Sequence, residues 1–72
     1  MNQQFVICIQ NEDYPASLEK RKLYQVIPDA DAEQQGQLRV IDESGEDYLY
    51  PKDCFVAVKL PGATEQAVIE AA

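Results

Sequence analysis

The feature that most constrains this chain is the run Arg39-Val-Ile-Asp-Glu-Ser-Gly-Glu-Asp-Tyr-Leu-Tyr-Pro51, continuing through Lys52-Asp-Cys54 into Phe55-Val-Ala-Val58. It reads as a strand, a tight polar turn, a second strand, a proline-marked kink and a third short strand. Just upstream, Gln37-Leu-Arg-Val-Ile41 alternates polar and apolar residues. Successive side chains of a strand point to opposite faces, so Leu38 and Val40 are expected to face inward and Arg39 outward. Residues 42–46 form the hairpin connection, with Gly45 supplying a positive φ. In Tyr48-Leu-Tyr50 the alternation sets Leu49 opposite the two tyrosines, and residues 51–54 read as one tight turn before the last strand.

The remaining segments can be placed around that half. Met1 to Gln4 is polar and reads as a frayed end, apart from whatever the first strand ties down. Phe5-Val-Ile-Cys-Ile9 is an unbroken apolar run rich in β-branched residues, short enough to be a buried strand rather than a helix. Residues 11–17 are a turn-rich loop in which Tyr14, restricted by Pro15, is expected to cover one end of the core. Lys20-Arg-Lys22 leads into a second strand, Leu23-Tyr-Gln-Val-Ile27, whose Tyr24 and Val26 share a face. Residues 29–36 are a loop or a single helical turn, with Asp29 as N-cap and Gly36 as C-terminal stop. After Leu60-Pro-Gly62 breaks the β pattern, residues 64–72 have helix-forming composition with Thr64 as cap. So short a helix is marginal alone and must dock, pair with another chain or fray. The prediction is an all-β domain over residues 1–61, a small barrel of about five antiparallel strands, with a helical tail over 62–72.

Charge and length exclude several classes. Seventy-two residues allow one domain that buries roughly 60% of its unfolded surface, so stability should be of the order of a few kcal/mol. No apolar run approaches the ~20 residues needed to cross a bilayer, and no basic segment with an apolar stretch opens the chain, so the expected location is the cytoplasm. Thirteen acidic residues against six basic ones give a net charge of −7. Nucleic-acid binding relies on cations displacing counterions from phosphates, and the only clustered candidates are Lys20, Arg21 and Lys22. The acidic surplus also disfavours anionic membrane surfaces.

At Tyr48-Leu-Tyr-Pro-Lys-Asp-Cys-Phe-Val-Ala-Val58 the sequence resembles the end of SH3-like barrels, where an apolar strand runs into a proline, a one-turn 3₁₀ helix and a final strand. Leu23-Tyr-Gln-Val26, with Lys22 just ahead, resembles the Lys-x-Tyr-x-Val strand of that fold. The run from Arg39 to Pro51, together with Ile27-Pro-Asp-x-Asp-Ala32, is similar to a group of small bacterial proteins without an assigned function. The resemblance spans roughly residues 5–60. It implies the SH3-like barrel and no activity. Peptide-binding SH3 domains hold proline-rich ligands in aromatic-walled grooves. Pro51 matches the groove proline, but the tyrosine usual three residues later is Cys54 and the chain has no tryptophan.

The side-chain inventory argues against catalysis. There is no histidine, so the commonest general base and transition-metal ligand are missing. Neither Ser17 nor Ser44 lies in a Gly-x-Ser-x-Gly elbow. Cys8 and Cys54 match no metal or redox spacing and read as reduced, packing thiols; a reactive Cys54 would need a cationic neighbour, and Lys52 is offset by Asp53. The acidic group Asp29, Asp31, Glu33 begins like a calcium loop, but the sixth position is Gln34 and the twelfth Val40. No cofactor, metal site or catalytic residue is expected. The leading expectation is a non-catalytic protein-interaction module that uses Asp42, Glu43, Glu46 and Asp47 with Tyr48 and Tyr50 to hold an unidentified protein. Of Tyr24, Tyr48 and Tyr50, Tyr24 and one of the other two are expected in the core. The alternative is an RNA- or ribosome-associated barrel using Lys20, Arg21, Lys22 and Arg39. A homodimer through the tail, packing Ala63, Ala67 and Val68, is a further expectation.

Overall fold

In the computed structural model, which describes residues 4–71, the strands are β1 (Gln4–Cys8), β2 (Leu23–Ile27), β3 (Gln37–Ile41), β4 (Asp47–Pro51) and β5 (Phe55–Val58). They form one antiparallel sheet in the order β4-β3-β2-β1-β5. The two edge strands are joined only by a one-turn 3₁₀ helix, Lys52–Cys54. A flat five-stranded sheet would hold its edges about 19 Å apart, at roughly 4.8 Å per neighbour. A 3₁₀ turn rising about 2 Å per residue cannot span that. The sheet therefore curls on itself, and among the described residues β4 and β5 do not pair with each other.

The curl encloses the core. Val6, Cys8, Tyr24, Val26, Val40 and Tyr50 enter it from alternate strand positions, and Phe55 and Cys54 close the corner. Leu18, Val40 and Cys8 are completely buried. The first strand departs from the expected continuous burial: Ile7 is only half-buried and Ile9, beyond the strand, is 51% exposed. The alternation of a curled sheet turns Ile7 away from the face that carries Val6 and Cys8. Gln4, expected at a frayed end, is the first residue of β1; residues 1–3 lie outside the described residues.

Leu18 reaches the core from the long β1–β2 loop, which folds back on itself. The Leu18 N–H donates to the Tyr14 carbonyl at 3.0 Å, and the Asn11 side-chain amide donates to the Leu18 carbonyl at 2.8 Å. Tyr14 covers the end of the core as expected, meeting the Tyr50 ring edge-on with centroids 4.9 Å apart. Such self-packed loops behave as part of the core rather than as tethers.

Local capping follows the sequence at α1 (Ala30–Gln34), where Asp29 Oδ1 accepts the Ala32 N–H at 3.1 Å and Gly36 leaves the helix at φ +75°. The hairpin is equally local. The Asp42 N–H donates to the Glu46 carbonyl at 3.0 Å, and Gly45 takes φ +85° in otherwise open space. A three-residue connection with its last residue left-handed is a favoured hairpin geometry. The C-terminal helix corrects the sequence expectation. α2 (Gly62–Glu70) begins before Thr64, with Pro61 at the cap, because a proline φ near −60° is already helix-compatible. None of its residues is buried. Ala72, the last residue of the predicted tail helix, is outside the described residues.

Candidate interaction surface

The residues expected to form an acidic contact surface divide into two groups. Asp42 and Tyr50 depart from the expected exposed surface: both are buried, at 7% and 4% exposure, and they bond to each other. Tyr50 lies opposite Leu38 on the core face of the β3–β4 ladder, and its ring packs against Tyr14 and Phe55. Its hydroxyl donates to Asp42 Oδ2 at 2.5 Å, while Asp42 Oδ1 accepts the Ser44 N–H at 2.8 Å and the Ser44 hydroxyl. Burial pushes the Asp42 carboxyl up, but the Ser44 and Tyr50 hydrogen bonds outweigh it and hold it below the usual carboxylate range. For Tyr50, burial first and the Asp42 carboxylate second push the phenol up, so it stays a donor.

Glu43 and Asp47 are engaged at the surface. Glu43 accepts from Lys22 Nζ at 2.8 Å and from the Tyr24 hydroxyl at 2.5 Å, and its own N–H donates to Ser17 O at 3.1 Å. The Lys22 hydrogen bond, then that of Tyr24, lowers the Glu43 pKa. Arg39 takes two carboxylates: its Nε donates to Asp29 Oδ2 at 2.9 Å and its Nη1 to Asp47 Oδ2 at 3.0 Å. Those bonds tie the cap of α1 to β4 across β3. Ion pairs also engage two of the four cations of the alternative RNA surface. Lys22 and Arg39 are paired, and Arg39 sits opposite Ile27, at the far end of β2 from Lys22. Of those four cations, Lys20 and Arg21, in the turn before β2, are exposed with no ion pair among the described residues.

What remains of the predicted surface is Glu46, exposed at the hairpin, and Tyr48, which is 50% exposed, joined by Leu49 at 41%. All three lie on or beside β4, an edge strand. Two bonds, Asp42 N–H to Glu46 O and Lys52 N–H to Gly36 O, set the phase of the β3–β4 ladder. Alternate residues of an antiparallel strand bond to opposite sides, so Tyr48 and Tyr50 direct their main-chain groups to β3. Asp47, Leu49 and Pro51 direct theirs to the free edge. Pro51 fits there because the N–H it lacks would have faced outward. Leu49 was legible as the residue opposite the tyrosines, but its place on a free edge needed the strand order.

Other chemistry is sparse. Among the described residues no three His, Cys, Asp or Glu side chains group as metal ligands, and no helix is long and apolar enough to cross a membrane. An open groove of about 490 Å³ is lined by Phe5, Val26, Leu38, Ala57 and Leu60, with Gln4, Lys59 and Glu65 as its polar neighbours among the described residues. Cys8 and Cys54 are free and buried. Burial pushes both thiols up, and for Cys54 the neighbouring Cys8, Asp13 and Asp53 add to it. The thiolate is the reactive form, so both cysteines should resist iodoacetamide at pH 7 until denaturant is added. Rapid modification of the native protein, read by intact mass, would contradict this packing. No family model, no curated protein and no solved structure matches this chain.

Proposed function

We propose that this protein is a cytoplasmic, non-catalytic protein-interaction module built as an SH3-like barrel, which engages its partner through the free edge of β4 and the adjoining Glu46, Tyr48 and Leu49. The strand order β4-β3-β2-β1-β5 with a 3₁₀ turn between β4 and β5 supports the SH3-like reading. The observation that carries the function is the edge itself. Exposed aromatic and aliphatic side chains flank the outward main-chain groups of Asp47 and Leu49, which have no partner among the described residues, and such edges bind extended segments by strand addition. The RNA reading has weaker support, because two of its four cations are already neutralised.

The test is affinity capture from a lysate with wild type beside a Glu46→Gln/Tyr48→Ser variant. Asp42, Glu43 and Asp47 are left intact because their bonds hold the fold. A protein recovered by wild type and lost with the variant is the expected result. Recovery of the same proteins by both removes the β4 edge as the site, and retention of RNA by the purified protein at low salt would replace this reading with the alternative.

A further inference from the structure

We propose that the β4 edge pairs with the β4 edge of a second copy, antiparallel and in one register, with Leu49 opposite Leu49. This inference rests on the β4 edge being the contact surface and names an occupant for it.

The register follows from which groups face outward. With Leu49 at the two-fold axis, each Leu49 N–H donates to the Leu49 carbonyl of the other copy. Each Asp47 N–H then donates to the Pro51 carbonyl of the other copy, which needs no donor in return from the proline. Exposed Leu49 side chains meet across the axis, a cross-strand apolar pair of the kind that stabilises sheets. The same register sets Glu46 opposite Lys52 of the second copy, twice by symmetry. Both residues are exposed, and neither forms an ion pair within the chain among the described residues.

Charge selects this register over its neighbours. Centring on Asp47 sets the acidic hairpins of two −7 chains against each other. Centring on Pro51 opposes two residues without an N–H. Opposing Asp47 to Leu49 satisfies the same main-chain groups, but it brings the Asp47 carboxylates of both copies to diagonal positions and separates Glu46 from Lys52. Only the Leu49-centred arrangement joins opposite charges at both ends of the pair.

Sedimentation velocity of the purified full chain over a wide concentration range tests the proposal. Wild type should show a concentration-dependent dimer. Glu46→Lys and Lys52→Glu should each weaken it about tenfold or more, since each puts two like-charged pairs across the interface. The combined swap should restore it, a recovery that misfolding cannot mimic. Three results overturn the proposal: a monomer at every concentration, a dimer indifferent to the single substitutions, or a swap that fails to restore. A dimer that survives Glu46→Lys but dissociates when residues 62–72 are removed also overturns it and assigns the contact to α2. A monomer that still captures a foreign protein through Glu46 and Tyr48 leaves the module reading intact, whereas a dimer that captures nothing defeats that reading alone.

Discussion

Leu18→Ala should leave the protein largely unfolded at room temperature. Leu18 is completely buried, and its main chain is held there by the Tyr14 carbonyl and the Asn11 side-chain amide rather than by a strand. Truncating a buried leucine removes transfer free energy and leaves a cavity, together costing about 2–5 kcal/mol. A domain of this length has only a few kcal/mol to lose. Leu18→Met, which keeps the volume, should cost under ~1.5 kcal/mol. Urea titrations followed by circular dichroism would separate the two. A wild-type midpoint for Leu18→Ala would mean that the β1–β2 loop is not part of the cooperative core.

Asp42→Ala should be the second most damaging single change. It takes away the carboxylate acceptor of the buried Tyr50 hydroxyl, which keeps only its Ser17 side-chain bond, and removes the Ser44 bonds that shape the hairpin. Losing hydrogen bonds to a charged group costs about 1.5–3 kcal/mol. Tyr50→Phe should cost less, about 1 kcal/mol, because Asp42 keeps its Ser44 donors. The double variant should cost less than the two singles added together, since both remove the same bond. Acid titration gives a second readout. Asp42, Glu43 and Asp29 all have carboxyls held below their ordinary pKa, so the unfolded chain binds more protons than the native one as pH falls. Their contribution is present above the unfolded value, about pH 4, and is lost as pH drops below it through the folded values. Asp42→Ala should flatten that acid limb. An unchanged limb would show that the Asp42 carboxylate is not stabilised by folding.

The strands β2, β3 and β5, the Asp29 cap and the Gly45 turn were legible because each rests on alternation or turn chemistry within a few residues. The position of Leu18 was not. It sits between a turn-rich loop and a basic run, and nothing local marks it as core. Which tyrosine of β4 was buried was also undecided, since Tyr48 and Tyr50 share a face. The reach of the Tyr14 loop over Tyr50, and the Asp42 carboxylate at its hydroxyl, settled it.

The sequence by itself determined that this is a small acidic β domain with its hairpin at residues 42–46. Only the tertiary structure decided which of those carboxylates are free. Asp42 is taken by a residue 8 positions away, Glu43 by partners 19 and 21 positions away, and Arg39 draws in Asp29 from 10 positions away. Proximity along the chain carries no information about such pairs: they exist because the sheet curls, bringing the β1–β2 loop and the hairpin to the same end of the core and leaving β4 as an edge.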